Sequence, residues 1–145
     1  WTIVLFANLV GTFAAALFNM VPHVLDESTF NHMIDISRHA MDKTWMEMLL
    51  KGISAGFLIA TLVWLLPAAE NSEFVVIVLI TYLIALGGFT HVIAGSFEGF
   101  LLVLNGHMSA WSMAIDFFLP ALIGNIIGGT ALFTVLSYGQ VAEEI

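Results

Sequence analysis

The tract from Phe74 to Leu104 limits what this chain can become more than any other stretch. Apart from Thr81, Tyr82, Thr90, His91, Ser96 and Glu98 it is built of apolar residues and glycine. As one straight helix it would measure about 46 Å, at ~1.5 Å per residue. The hydrocarbon core of a bilayer is only ~30 Å thick. The tract is therefore too long for one ordinary span and too short for two spans with a turn. A helix broken in the middle resolves the mismatch. Gly87, Gly88 and Gly95 bracket the polar pair Thr90 and His91, where helix propensity is weakest, so the break is expected around Gly87–Ser96. Non-helical backbone survives at membrane depth only where it faces protein or a watery cavity. The stretch reads as the lining of a permeation path.

Composition supports a membrane setting. The chain is 60% hydrophobic and 10% charged, against a charged share of ~25% in soluble domains. With 3 Lys+Arg against 11 Asp+Glu, nothing here could neutralise nucleic-acid phosphates or form a polybasic anchor on a membrane surface. The absence of cysteine excludes a disulfide framework, thiol chemistry and thiolate metal sites. Serine and histidine occur without a nucleophile elbow, so no enzyme and no cofactor are expected. His23, His32 and His39 lack partners at metal-ligand spacing, apart from Asp35 and His39 at i, i+4, and no metal site is expected.

Four spans follow, at about 1–21, 49–69, 74–104 (broken) and 114–141, forming a single transmembrane domain over 1–145. Trp1 already stands inside an apolar run, so no signal peptide can be read, and an upstream portion is expected. Between the first two spans lies a polar connector in which Phe30, Met33, Ile34, Met41 and Trp45 recur at roughly helical spacing. That pattern predicts a short amphipathic helix at the membrane interface. A tight acidic turn, Ala68 to Glu73, precedes the broken tract. A short loop with His107 follows it, and the last span ends in Glu143-Glu144.

An internal echo links the ends of the chain. Asn8-Leu-Val-Gly11-Thr-Phe-Ala matches Asn125-Ile-Ile-Gly128-Gly-Thr-Ala. Read as signal, it makes the first and last spans equivalent elements of two inverted repeats, a common transporter design with broken helices and midplane sites. The first repeat would then lack its two leading spans.

With those residues placed, the chain resembles the C-terminal two-thirds of the formate/nitrite transporter family. Gly88-Phe89-Thr90-His91-Val92-Ile93-Ala94 is similar to that family's Gly-Phe-Glu-His-Ser-Ile-Ala segment. Pro120-Ala-Leu-Ile-Gly-Asn-Ile-Ile-Gly-Gly129 is similar to its last-helix signature Pro-x-x-x-Gly-Asn-x-x-Gly-Gly. Thr44-Trp45-x-Glu47 running into Gly52, with Leu62-Val63-Trp64, resembles its fourth helix, and Asn8-Leu-Val-Gly11 its third. The resemblance implies an all-α, aquaporin-like bundle of inverted repeats and a homo-oligomer, a pentamer with one pore per protomer. It also implies passage of small monovalent anions across a bacterial inner (plasma) membrane. His91 would be the central pore histidine and Phe89 part of a constriction. The chain departs from the family where Gly56 and Gly95 replace asparagines and Glu98 replaces an apolar residue. The vestibule lysine aligns near Ala40, leaving Arg38 or Lys43 to stand in. These departures mark a divergent branch.

The residues divide by chemistry. His91 can act as counter-ion or proton donor to a weak-acid anion, since imidazole titrates in the physiological range; a hydrogen-bonded core histidine is the bland alternative. Ser96 is expected to cap a half-helix starting near Phe97, aiming its positive end at the bilayer centre. Glu98, a costly intramembrane carboxylate, is expected to pair with Lys51 or to relay protons with His91. Asn8 and Asn125 serve either helix packing or pore lining, and Gly11, Gly128 and Gly129 permit close helix approach. Arg38 and Lys43 would put the connector in the cytoplasm if Lys/Arg were merely counted. The resemblance puts it outside, where those cations attract anions at the outer mouth. The alternatives are a neutral-solute channel of the same architecture and a non-transporting membrane subunit.

Overall fold

The computed structural model of the protein describes residues 1–141, and among them the regular structure is entirely helical. Glu143 and Glu144, expected to close the last span, lie outside the described residues. The helices are α1 (Thr2–Asn19), α2 (Glu27–Met41), α3 (Trp45–Leu65, with a 3₁₀ turn at Leu66–Ala68), α4 (Glu73–Leu86), α5 (Val92–Leu104) and α6 (Ala110–Gly139). Among the described residues, three apolar helices are long enough to cross a membrane: Thr2–Asn19, Trp45–Ala68 and Ala110–Gly139. The expected tract at 74–104 is divided between the shorter α4 and α5. Two spans begin a turn earlier than the apolar runs imply. Trp45 opens α3, with Glu47 in its first turn, where a carboxylate complements the helix dipole. Ser109 opens α6 by accepting a hydrogen bond from the Ser112 N–H at 2.9 Å.

The chain falls into two compact units, residues 1–45 with 92–119, and residues 46–91 with those from Pro120 onward. In the first, α1 and α2 pack on α5. Their core joins Ala16, Ile34, Leu101 and Leu102, surrounded by Phe30, Met33, Met41, Phe97 and Phe100. Phe13 and Phe100 meet edge to face, with ring centroids 5.2 Å apart. The connector helix thus exists as the periodicity predicts, but its apolar stripe is spent on α5. Asp26 caps it, its carboxylate accepting from the Thr29 N–H at 2.9 Å and the Thr29 hydroxyl at 2.6 Å. These bonds hold the Asp26 carboxyl below its ordinary value.

In the second unit, α3 and the glycine-rich part of α6 cross at backbone contact. A Cβ on Gly124 would collide with the Leu49 carbonyl, one on Gly128 with the Ile53 carbonyl, and one on Gly56 with the Asn125 backbone. The expectation of close approach holds for Gly128 and Gly129; at Gly11 a Cβ would meet no atom of another element within 4 Å among the described residues. α6 also changes pitch twice, widening to π-helix at Met113–Phe118 and Ile127–Leu132. The first wide turn ends just before Pro120, whose ring crowds the carbonyl one turn back and which has no N–H to donate.

Candidate functional site

The break is real and shorter than expected. α4 stops at Leu86, α5 starts at Val92, and the five residues Gly87 to His91 are non-helical. How α4 stops follows from its glycines. Gly88 takes φ +56, a left-handed conformation costly for residues with a Cβ. The Gly88 N–H reaches the Ala85 carbonyl and the Phe89 N–H the Ile84 carbonyl, each at 3.0 Å. That is the paired closure of a Schellman cap.

Backbone beyond the cap must find partners elsewhere. The Thr90 N–H is 3.4 Å from the Lys51 carbonyl of α3. The Thr90 carbonyl accepts from Asn125 Nδ2 at 2.9 Å, and the same amide donates its other hydrogen to the Gly52 carbonyl, also at 2.9 Å. Thr90 is buried, its hydroxyl 3.6 Å from Met48 Sδ. One asparagine side chain therefore ties α6 to both α3 and the break.

The second unit thus gathers Lys51, Phe89, Thr90, His91 and Asn125 around one irregular segment. Phe89 lies against Gly87, where a Cβ would stand 2.6 Å from its Cε2 and Cζ atoms. Lys51 Nζ lies 3.5 Å from the place a Cβ on Gly88 would occupy. The ammonium so covers the C-terminal, electronegative end of α4. Among the described residues it forms no hydrogen bond or ion pair.

The first unit holds the other candidates. Ser96 is buried, but it caps nothing: α5 already runs from Val92, and the Ser96 hydroxyl donates to the Val92 carbonyl at 2.6 Å. The expected cap near Phe97 is corrected for that reason. Glu98 is half-buried on α5, and the cation whose charge acts on it in this unit is Lys43. Arg38 Nη2 donates to His107 Nδ1 at 2.9 Å, with Arg38 Nη1 3.9 Å from Asp35 Oδ1. A second Schellman cap at Gly106 fixes His107 at the end of α5. Asn8 is exposed on α1 and donates to the Val4 carbonyl of its own helix at 2.8 Å. Sequence reasoning missed Phe117, buried against Gly95. Its only signal was the pair Gly95 and Gly99 one turn apart on α5, which makes room for large side chains from a neighbour.

The sequence model described as formate/nitrite transporter matches residues 1–139. The chain is similar to the inner membrane protein YfdC of Escherichia coli (strain K12), 43% identical over 100% of this chain and 47% of that protein. It is similar to the uncharacterized transporter YrhG of Bacillus subtilis (strain 168), 29% identical over 95% of this chain and 53% of the transporter. It is also similar to the formate channel BtFdhC of Bacillus thuringiensis, 26% identical over 89% of this chain and 51% of the channel. The chain spans about half the length of these curated relatives. No solved structure matches it.

Proposed function

We propose a function from the family to which this chain belongs: it is a member of the formate/nitrite transporter family, and we infer that the protein carrying it passes small monovalent anions of weak acids, of the formate or nitrite kind, across a bacterial inner membrane. The observation that carries this reading is the Lys51 ammonium standing over Gly88, beside the non-helical segment that ends in His91. A bare anion in an apolar constriction costs tens of kcal/mol in the ideal Born limit. A fixed cation lowers that cost at the point of entry. Imidazolium can then transfer its proton to the bound carboxylate, leaving neutral imidazole and a small neutral acid that crosses apolar walls cheaply. Phe89 supplies such a wall. Thr90 and Asn125 hold the segment in place. Arg38 and Lys43 attract anions at the outer mouth.

The architecture this reading calls for is an aquaporin-like bundle of inverted repeats, a pentamer with one pore in each protomer. The echo between Asn8-to-Ala14 and Asn125-to-Ala131 supports the repeats. Passage of a neutral solute is the second reading, favoured by the Glu98 carboxylate on α5; the Lys43 charge acting on it weakens that case. Flux into proteoliposomes of the full-length protein separates the two. Formate and nitrite should enter, glycerol should not, and formate flux should rise as external pH falls through the imidazole range. His91→Phe should leave a folded protein whose flux no longer follows pH. PH-dependent formate flux in that variant would remove His91 from the mechanism.

A further inference from the structure

Arg38 and His107 belong to the first unit and stand 69 residues apart in sequence. The Arg38 guanidinium donates from Nη2 to His107 Nδ1 at 2.9 Å. Guanidinium nitrogens have only hydrogens to offer. Nδ1 therefore carries the lone pair, the ring proton sits on Nε2, and His107 is neutral in this pairing. Both side chains are exposed, and both hang from anchored backbone. Arg38 stands in the last turn of α2, one turn after the core residue Ile34. His107 follows the Gly106 corner, its N–H bonded to the Leu102 carbonyl at 2.9 Å.

Protonation reverses the sign of this contact. The lone pair that accepts from Arg38 is the one that takes the proton, so the bond is lost and two cations face each other. The electronegative end of α5, just before His107, favours the imidazolium. Few other charges answer the pair. α2 brings Asp35, its carboxylate 3.9 Å from Nη1, and His39, next in the chain to Arg38. α1 carries no charged residue. α5 has only Glu98, on which the Lys43 charge already acts, and α6 has only Asp116 among its described residues. Nη2 and Nδ1 then each donate into one gap. From this geometry we propose that Arg38 and the protonated ring of His107 form a binding site for a small monovalent oxyanion, a site that is absent while the ring is neutral. Formate and nitrite fit it, with two acceptor oxygens on one atom, one for each cation. The proposal rests on the transport reading above and makes the capture of anions at the mouth depend on external protons.

The test is the KM for labelled formate in intact spheroplasts containing the full-length protein, after subtraction of uptake by spheroplasts without it. In the parent, KM should be about five-fold lower at external pH ~5.5 than at pH ~7.5, across the range in which imidazole titrates. His107→Gln keeps a neutral acceptor for Arg38 and takes up no proton, so its KM should stay at the parent's higher value at both pH values. His107→Lys, a permanent cation, should hold KM at the lower value at both. Arg38→Gln should leave it at the higher value at both. The maximal rate should keep a pH dependence of its own, which belongs to His91. A KM in His107→Gln that falls with pH as in the parent overturns the site and leaves the transport reading standing. Absence of formate uptake in the parent overturns the transport reading, and the site with it.

Discussion

At the scale of single residues, the break depends on how its polar groups are partnered, and Asn125 carries the most. Its amide donates to two carbonyls, one on α3 and one in the break, 73 and 35 residues away in sequence. Each bond contributes about 0.5–1.5 kcal/mol net, and buried acceptors left unpaired cost more. Asn125→Ala should therefore destabilise the protein by about 1–3 kcal/mol, read as a lower unfolding midpoint in detergent. Asn125→Asp, which turns an acceptor toward two acceptors, should be worse. Lys51 is a charge question. Hydrogen bonds to charged groups are worth about 1.5–3 kcal/mol, so Lys51→Met should raise the apparent KM for formate roughly tenfold or more, while Lys51→Arg should recover most of it. How much of this could be read beforehand differs by residue. His91 and its glycines were legible, because low helix propensity and an overlong apolar tract are local properties. The role of Asn125 was half legible, since a spanning asparagine must bond something but cannot name two carbonyls so far away. Ser96 misled because serine favours helix starts, whereas α5 gained more by extending back to Val92. Lys51 was assigned a partner by charge alone, and the glycine corner at the end of α4, where its ammonium sits, leaves no mark in charge pattern.

Among the helices, the same residue type can be indispensable or idle, and only the neighbour decides. Gly128 on α6 faces the Ile53 carbonyl of α3, so Gly128→Ala must push two backbones apart. Overpacking of this kind costs about 1–3 kcal/mol, and backbone has no rotamer to yield. A Cβ on Gly11 of α1 would meet no other element within 4 Å among the described residues, so Gly11→Ala should be neutral or favourable by up to about 1 kcal/mol from helix propensity. A thermal-shift comparison of the two variants checks both signs. Sequence alone gave these glycines one role, because the Asn-x-x-Gly echo treats them as equivalent. The cap of α2 gives a pH dependence with a definite sign. Hydrogen bonds from Thr29 hold the Asp26 carboxyl below its ordinary 3.8. Its contribution is therefore complete above that value and is lost as pH falls through the lower folded value. Hydrogen exchange at the Thr29 amide should quicken in that acid window, and Asp26→Asn, a neutral acceptor, should remove the step.

For the whole molecule the open physical question is which way the spans run, and here simple counting has almost no leverage. Of 3 Lys+Arg, Lys51 lies within α3, leaving Arg38 and Lys43 to orient the protein. Both stand between α1 and α3, which by the positive-inside tendency would place α2 in the cytoplasm. That tendency acts through several cations near the span ends, and two are easily outweighed by the rest of a longer protein. Both cations also have local tasks: Arg38 donates to His107, and the Lys43 charge acts on Glu98. On the transport reading proposed above, basic residues of the connector are better used where anions arrive. We therefore expect α2 on the outer face and the turn at Glu70-Asn71 on the inner face, since α3 crosses once between them. The chain contains no cysteine, so single cysteines report cleanly. With Asn31→Cys, on the exposed face of α2, a membrane-impermeant maleimide should label intact spheroplasts. With Asn71→Cys it should label only after permeabilisation. The opposite pattern would reverse the orientation, put the two cations inside, and deny them the task of gathering external anions.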